Sequence, residues 1–313
     1  MRGGILALLM ACQGAWAAAP ESLSVQRADD SQISAFVERA DVAGKQSVLL
    51  ILQGSQCMDV APGGVDHMKF ELPPGIARLD IQKYGITPQV NGNDRKSCPA
   101  LYLANNTVQQ RIADVLAVVA DLRLHASWWN GKIYLMGTSE GATVAAMAGP
   151  LLPETRGIVL INGSIGRPFR DGWADAMVAS VKKGGGNLKA QQAVLKEAQA
   201  TWKRARLEPR SDVQVFGVGN TLKWWASIID LRPSNQLLLS AAPVLLMQGD
   251  SDEMTPVQSA RGVAQQLRDG GKTNLQYVEL AGLNHGLRRA DGQPGWQPVM
   301  QQVREWLSEQ DSH

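Results

Sequence analysis

From Ser47 onward, short runs of apolar, β-prone residues alternate with stretches whose apolar positions recur at helical spacing. The runs fall at residues 47–52, 76–81, 132–136, 157–161, 244–247 and 275–280. Strands alternating with helical segments imply βαβ units and a mostly parallel sheet flanked by helices, an α/β architecture. Between the second and third runs, Ile112, Val115, Val119 and Leu122 repeat with a helical period. An amphipathic helix over 107–123 is therefore predicted, with Thr107 as its N-cap. Residues before Gln46 read as a polar lead, and 297–308 as a closing helix with Val299, Val303 and Leu307 on one face.

The strand rhythm stops between Ile161 and Ala242. Helix formers dominate there, as in 187–204, and Gly184, Gly185 and Gly186 form a breaker within the segment. The pattern describes a mostly helical cap at 167–240, inserted into a core made of 20–166 and 241–313. Four tryptophans lie in the cap, Trp173, Trp202, Trp224 and Trp225. They either line an apolar substrate pocket or fill the cap's own small core. Asn162-Gly163, after a strand, turns the chain into this insertion.

Length and composition leave this picture intact. A chain of 313 residues holds one large domain with an embellishment more readily than two independent ones. The formal charge is +2 with 19% charged residues, and no basic block points to nucleic acid or an anionic membrane. Arg2, an apolar stretch from Ile5 to Ala11 and small residues ending at Ala15-Trp16-Ala17 fit a secretory signal over 1–19. The apolar stretch is well short of the roughly 20 residues a spanning helix needs. Leu9-Met10-Ala11-Cys12 offers a second reading, a lipid-bearing Cys12. Removing the signal leaves two of the three cysteines, Cys57 and Cys98. In an exported, periplasmic or secreted chain an even pair implies one disulfide, with two buried thiols as the alternative.

The sharpest local signal is Gly137-Thr138-Ser139-Glu140-Gly141, a G-x-S-x-G between a strand and an alanine-rich helical run. A serine at a tight strand-to-helix turn is held strained, with its Oγ above the sheet. The same turn aims the Glu140 N–H at an oxygen that becomes negative during acyl transfer. A hydroxyl needs a base, and four histidines are available: His67, His125, His285 and His313. Only His285 follows a late predicted strand, where a loop can lean over the serine. The imidazole in turn needs a carboxylate beyond another strand end. Three acids follow the run at 244–247, namely Asp250, Asp252 and Glu253. Thr255 and Pro256 read as the cap and first position of the next helix, which puts Asp252 in the intervening loop. Asp250 is the alternative.

These residues resemble the α/β-hydrolase superfamily, especially its dienelactone-hydrolase, prolyl-oligopeptidase-like and serine-aminopeptidase-like bacterial branches. Gly137-x-Ser139-Glu140-Gly141, Asp252-x-x-x-Pro256 and Gly282-Leu283-Asn284-His285 carry the similarity, which runs from about residue 45 to the end outside the cap. The chain order Ser139, Asp252, His285 is the one this superfamily uses. The resemblance implies an oxyanion loop at Leu52-Gln53-Gly54-Ser55-Gln56-Cys57, with the Ser55 N–H as second donor and Gln56 as the alternative. Gln53 stands where the family often has histidine. A Cys57–Cys98 bond would pin that loop. No H-E-x-x-H, C-x-x-C, G-x-x-x-x-G-K-[ST] or G-x-G-x-x-G spacing occurs, so no metal or other cofactor is expected. The expectation is a serine hydrolase using an acyl-enzyme on a small-molecule or peptide acyl substrate. Ester or thioester cleavage comes first, a peptidase or amidase second, and a non-catalytic binding protein of the same fold third.

Overall fold

The computed structural model describes residues 20–63, 70–88, 90, 92, 97–166, 168–216 and 220–312. The expected signal at 1–19 with Cys12, and the histidines His67 and His313, lie outside these residues. Eight strands form one sheet. They are β1 (Glu21–Gln26), β2 (Gln32–Glu38), β3 (Gln46–Leu52), β4 (Ile76–Ile81), β5 (Trp129–Thr138), β6 (Thr155–Ile161), β9 (Val244–Gly249) and β10 (Leu275–Leu280). Their spatial order is β1-β2-β4-β3-β5-β6-β9-β10. The pairs from β4 to β10 are parallel, while β1-β2 and β2-β4 are antiparallel.

The β1–β2 hairpin corrects the reading of a polar lead. In β2, Ile33, Ala35 and Val37 turn inward while Gln32 and Ser34 face out. A strand with one wet face alternates apolar and polar residues, so it shows no continuous apolar run. The central strands do show one, because helices cover both of their faces. Leu50, Leu52 and Leu135 pack with Val115, Val119 and Leu122 of helix α2 (Val108–His125), and with helix α3 (Glu140–Ala148). Leu49, Ile51, Tyr134 and Met136 alternate with them and meet Val303, Trp306 and Leu307 of α9 (Trp296–Asp311) on the opposite face. Each such buried side chain is worth about 1.5–3 kcal/mol of transfer free energy.

Helix α1 (Ala100–Asn105) precedes α2, whose N-cap Thr107 accepts from the Gln110 N–H at 3.0 Å. Between β6 and β9 lie α4 (Phe169–Lys183), α5 (Leu188–Leu207), a two-stranded pair of β7 (Gln214–Val215) with β8 (Asn220–Thr221), α6 (Leu222–Ile228) and α7 (Pro233–Leu238). Gly184 ends α4, and Asn187 caps α5 by accepting from the Ala190 N–H. Helices α4 and α5 pack as a pair, α6 reaches α2, and α7 sits on α3 and on α8 (Val257–Asp269). The N-cap of α8 is Pro256, one residue later than read from the sequence. Thr255 is thereby released for a different task, described below. Cys57 and Cys98 form a disulfide with Cα atoms 5.6 Å apart. No helix of the described residues is long and apolar enough to cross a membrane.

Candidate active site

Ser139 sits between the end of β5 and the start of α3 with φ 54° and ψ −119°. A side chain in that left-handed region is strained, and the surrounding packing must hold it there. Gly137 and Gly141 make the turn possible. A β-carbon at Gly141 would land on the Leu52 carbonyl, and one at Gly137 on the carbonyl of Gly141.

His285, in the loop beyond β10, brings Nε2 to 3.0 Å from Ser139 Oγ. Its Nδ1 lies 2.9 Å from Oδ2 and 3.1 Å from Oδ1 of Asp252, in the loop beyond β9. An ionised carboxylate only accepts, so Nδ1 carries the proton and Nε2 accepts from the serine hydroxyl. Asp252 is fully buried at its side chain. The Met254 and Thr255 N–H groups donate to Oδ1 at 2.8 and 2.9 Å. The Thr255 hydroxyl and the Gln248 amide donate to Oδ2 at 2.6 and 2.9 Å. Burial pushes the Asp252 carboxyl up, but the hydrogen bonds and charge of His285, with the Thr255 donors, outweigh it and hold the group below its usual range. Asp250 is engaged elsewhere, accepting from the Gly282 N–H at 2.8 Å, and Glu253 pairs with Lys183 at the surface. Of the three acids, Asp252 is the one brought to His285. His125 is far along α2 and pairs with Asp121.

Two residues that motif reading passed over hold this arrangement. Asn162, at the end of β6 with φ 51°, donates from Nδ2 to the carbonyls of His285 and Asn284 at 3.0 and 3.2 Å. Its Oδ1 accepts from the Gly249 N–H at 2.8 Å. One side chain thus ties the β6, β9 and β10 loop ends together. The sequence signal was present, since asparagine tolerates positive φ better than most residues and this one follows a strand. Arg111 of α2 forms a buried ion pair with Glu140 at 2.6 Å and donates to the Gln53 carbonyl at 2.7 Å. The second Glu140 oxygen accepts from Trp224 Nε1 at 2.7 Å.

The loop 53–57 crosses Ser139 closely: a β-carbon at Gly54 would stand 3.4 Å from Ser139 Cβ and 3.9 Å from its Oγ. Ser55, Glu140 and His285 share with Ser139 the wall of a cavity of about 430 Å³, a size typical of small-molecule sites. Phe169, Trp173, Trp224 and Trp225 give it an aromatic lining. Trp173 and Trp224 meet the Trp225 ring at 4.7 and 4.8 Å between centroids. These three tryptophans line the cavity, whereas Trp202 is buried within the insertion. Three of the four thus line a cavity, while Trp202 joins the buried core shared with the central strands and α2 and not a separate core of the insertion.

A family model described as serine aminopeptidase, S33 (Hydrolase_4) matches residues 101–289. The chain belongs to this family. As a member of the S33 family it is an enzyme, a serine hydrolase of α/β-hydrolase fold. Among solved structures, Est1E from Butyrivibrio proteoclasticus superposes with TM-score 0.58 at 16% identity, covering 93% of this chain and 99% of that one. The acylaminoacyl peptidase of Pyrococcus horikoshii gives TM-score 0.58 at 12% identity, covering 93% of this chain and 41% of the peptidase. At these identities the likeness is one of fold. Esterase LipC of Mycobacterium tuberculosis is 33% identical over 63 residues, which span 20% of this chain and 16% of that esterase.

Proposed function

We propose that this S33-family hydrolase cleaves carboxylic esters or thioesters with apolar acyl groups, using Ser139 as nucleophile, His285 as general base and Asp252 as its orienter. The observation that carries the ester reading is the aromatic cavity beside Ser139. Among the described residues lining it, Glu140 is the one carboxylate, and both its oxygens are committed, to Arg111 and Trp224. A substrate's α-ammonium would find no available carboxylate there, whereas a flat uncharged acyl group would meet the tryptophan faces. The insertion 167–240 then acts as the cap that gives specificity. Est1E, one of the fold relatives, has been solved with ferulic acid bound.

The chemistry of this reading is acyl transfer in two steps. Ser139 Oγ attacks the carbonyl carbon as its proton passes to His285 Nε2, and Asp252 stabilises the imidazolium. The Ser55 and Glu140 N–H groups receive the oxyanion. Collapse expels the alcohol or thiol, which takes the proton from Nε2, and water activated by the same histidine releases the acid. The disulfide supports action in an oxidising compartment outside the cytoplasm. A peptidase reading is favoured by the family's description and by the acylaminoacyl peptidases among the fold relatives.

The test is fluorophosphonate labelling of the purified protein with intact-mass and peptide analysis, followed by rates on short acyl esters, thioesters and aminoacyl amides. A single adduct on Ser139, absent in Ser139→Ala, with esters cleaved far faster than amides, is the expected result. Amides cleaved at rates comparable with esters would replace the ester reading with the peptidase one. A folded protein that takes no label and cleaves nothing would leave only the binding reading.

A further inference from the structure

Four consecutive carbonyl oxygens of the loop over Ser139 are each held by a side-chain donor from outside the loop. Arg111 donates to Gln53 O at 2.7 Å. Lys83 Nζ donates to both Gly54 O and Gln56 O. The Tyr102 hydroxyl donates to Ser55 O at 2.9 Å and accepts from Asn106 Nδ2 at 2.9 Å. Lys83 and Tyr102 are both buried, and neither was singled out by any motif. Lys83 follows β4, whose end also anchors the loop through Gln53 Nε2, a donor to Ile81 O at 3.1 Å.

In a trans peptide the C=O and the following N–H point in opposite directions. Fixing the Gly54 carbonyl on Lys83 therefore fixes the Ser55 N–H on the other side of the chain, and fixing the Ser55 carbonyl on Tyr102 holds the following peptide, so that Ser55 and its N–H are clamped from both sides. A flip of the 54–55 peptide would replace that N–H by a carbonyl oxygen, which repels an oxyanion. An ammonium on the carbonyl also draws electron density through the amide, and so strengthens the N–H as a donor. We propose that Lys83 and Tyr102 are positioning residues that set the oxyanion donors of the 53–57 loop, so that transition-state charge, rather than substrate binding, depends on them.

The inference rests on the serine-hydrolase roles of Ser139 and the loop proposed above. It separates from a merely structural role because Lys83 and Tyr102 touch loop carbonyls and neither is among the residues lining the aromatic cavity where the acyl group is proposed to bind. Preorganised donors are worth about 10²–10³ in kcat when one is removed outright, and mispositioning forfeits part of that. Lys83→Met keeps the side chain's length and Tyr102→Phe keeps the ring, and each removes the donor. Each variant should lower kcat on a short 4-nitrophenyl ester by about 10- to 100-fold, with KM nearly unchanged. An alkyl trifluoromethyl ketone forms a hemiketal oxyanion on Ser139, and its Ki should rise in proportion to the fall in kcat/KM. The matching methyl ketone, which stays a ketone, should bind as it does to the wild type. If Lys83→Met fails to fold, Tyr102→Phe carries the test alone. Wild-type kcat in the folded variants, or a kcat loss with the trifluoromethyl ketone Ki unmoved, overturns the inference while leaving the hydrolase reading standing. A wild-type protein that neither cleaves the ester nor takes a fluorophosphonate on Ser139 removes both.

Discussion

At the scale of single residues, charge burial separates what matters from what decorates. Arg111 and Glu140 have side chains 6% and 2% exposed. Truncating one member of such a pair strands the other charge in the interior, at a cost of about 3–5 kcal/mol. Arg204 and Glu208 form a pair at 3.0 Å on the open face of α5, where water and salt screen the attraction. Urea unfolding should therefore show Arg111→Met far less stable than wild type and Arg204→Met indistinguishable from it. Equal midpoints for the two variants would mean that the Arg111 pair is better hydrated than its burial indicates. Arg111 was not legible in the sequence for the reason that makes it costly to remove: its partners are 29 and 58 positions away. Ser139, Asp252 and His285 were legible because each is announced by its immediate neighbours. A glycine-flanked turn, a strand-end acid and a strand-end histidine need no knowledge of the fold. Lys83 and Tyr102 act on backbone carbonyls, which have no sequence signature at all.

At the scale of elements, burial on two faces made the central strands readable, and burial on one face hid β1 and β2. Helix boundaries shifted where a side chain had another use. Thr255 reads as an N-cap, yet its hydroxyl and N–H go to Asp252, and α8 begins after Pro256 instead. A covalent constraint also acts at this scale, on the loop that follows β3. Its disulfide joins residues 41 apart, for which loop-closure entropy gives about 4 kcal/mol of stabilisation. Cys57 ends the loop that crosses Ser139 and packs with Ile86 and Tyr102. Reduction should thus act twice. Denaturant midpoints should fall by an amount equivalent to about 2–4 kcal/mol, and ester turnover should drop under conditions where the reduced protein is still folded. Cys57→Ser/Cys98→Ser should reproduce both effects without reductant. A reduced enzyme with undiminished kcat would show that the side-chain donors alone hold the loop.

At the scale of the whole molecule, the sheet presents Ser139, Asp252 and His285 from three separate strand ends, so the site exists only while the global fold does. The carboxylate hydrogen-bonded to the histidine consequently reports on stability. Asp252 ionises below its ordinary value of 3.8 in the folded chain. Glu154 lies below 4.5, chiefly through its hydrogen bond from Arg123, and Glu279 is drawn down to about 2, chiefly by the hydrogen bond from Arg261. In each case the unfolded chain binds the proton more tightly, so the contribution to stability is complete above the unfolded value and disappears as pH falls through the folded one. Stability should accordingly decline from about pH 4.5 down to about pH 2. The exposed Glu154 and Glu279 pairs are screened, so salt should remove their share and leave that of Asp252, which is buried among five donors. Asp252→Asn puts an amide N–H₂ against groups that themselves donate. The variant should be less stable than wild type at neutral pH, and in high salt its stability should change much less than the wild type's across the acid range. Melting curves from pH 2 to 7 at high ionic strength test this. Parallel acid limbs for the two proteins would mean that the Asp252 carboxyl titrates alike in the folded and unfolded chains, which would undercut the hydrogen-bonded arrangement at the centre of the site.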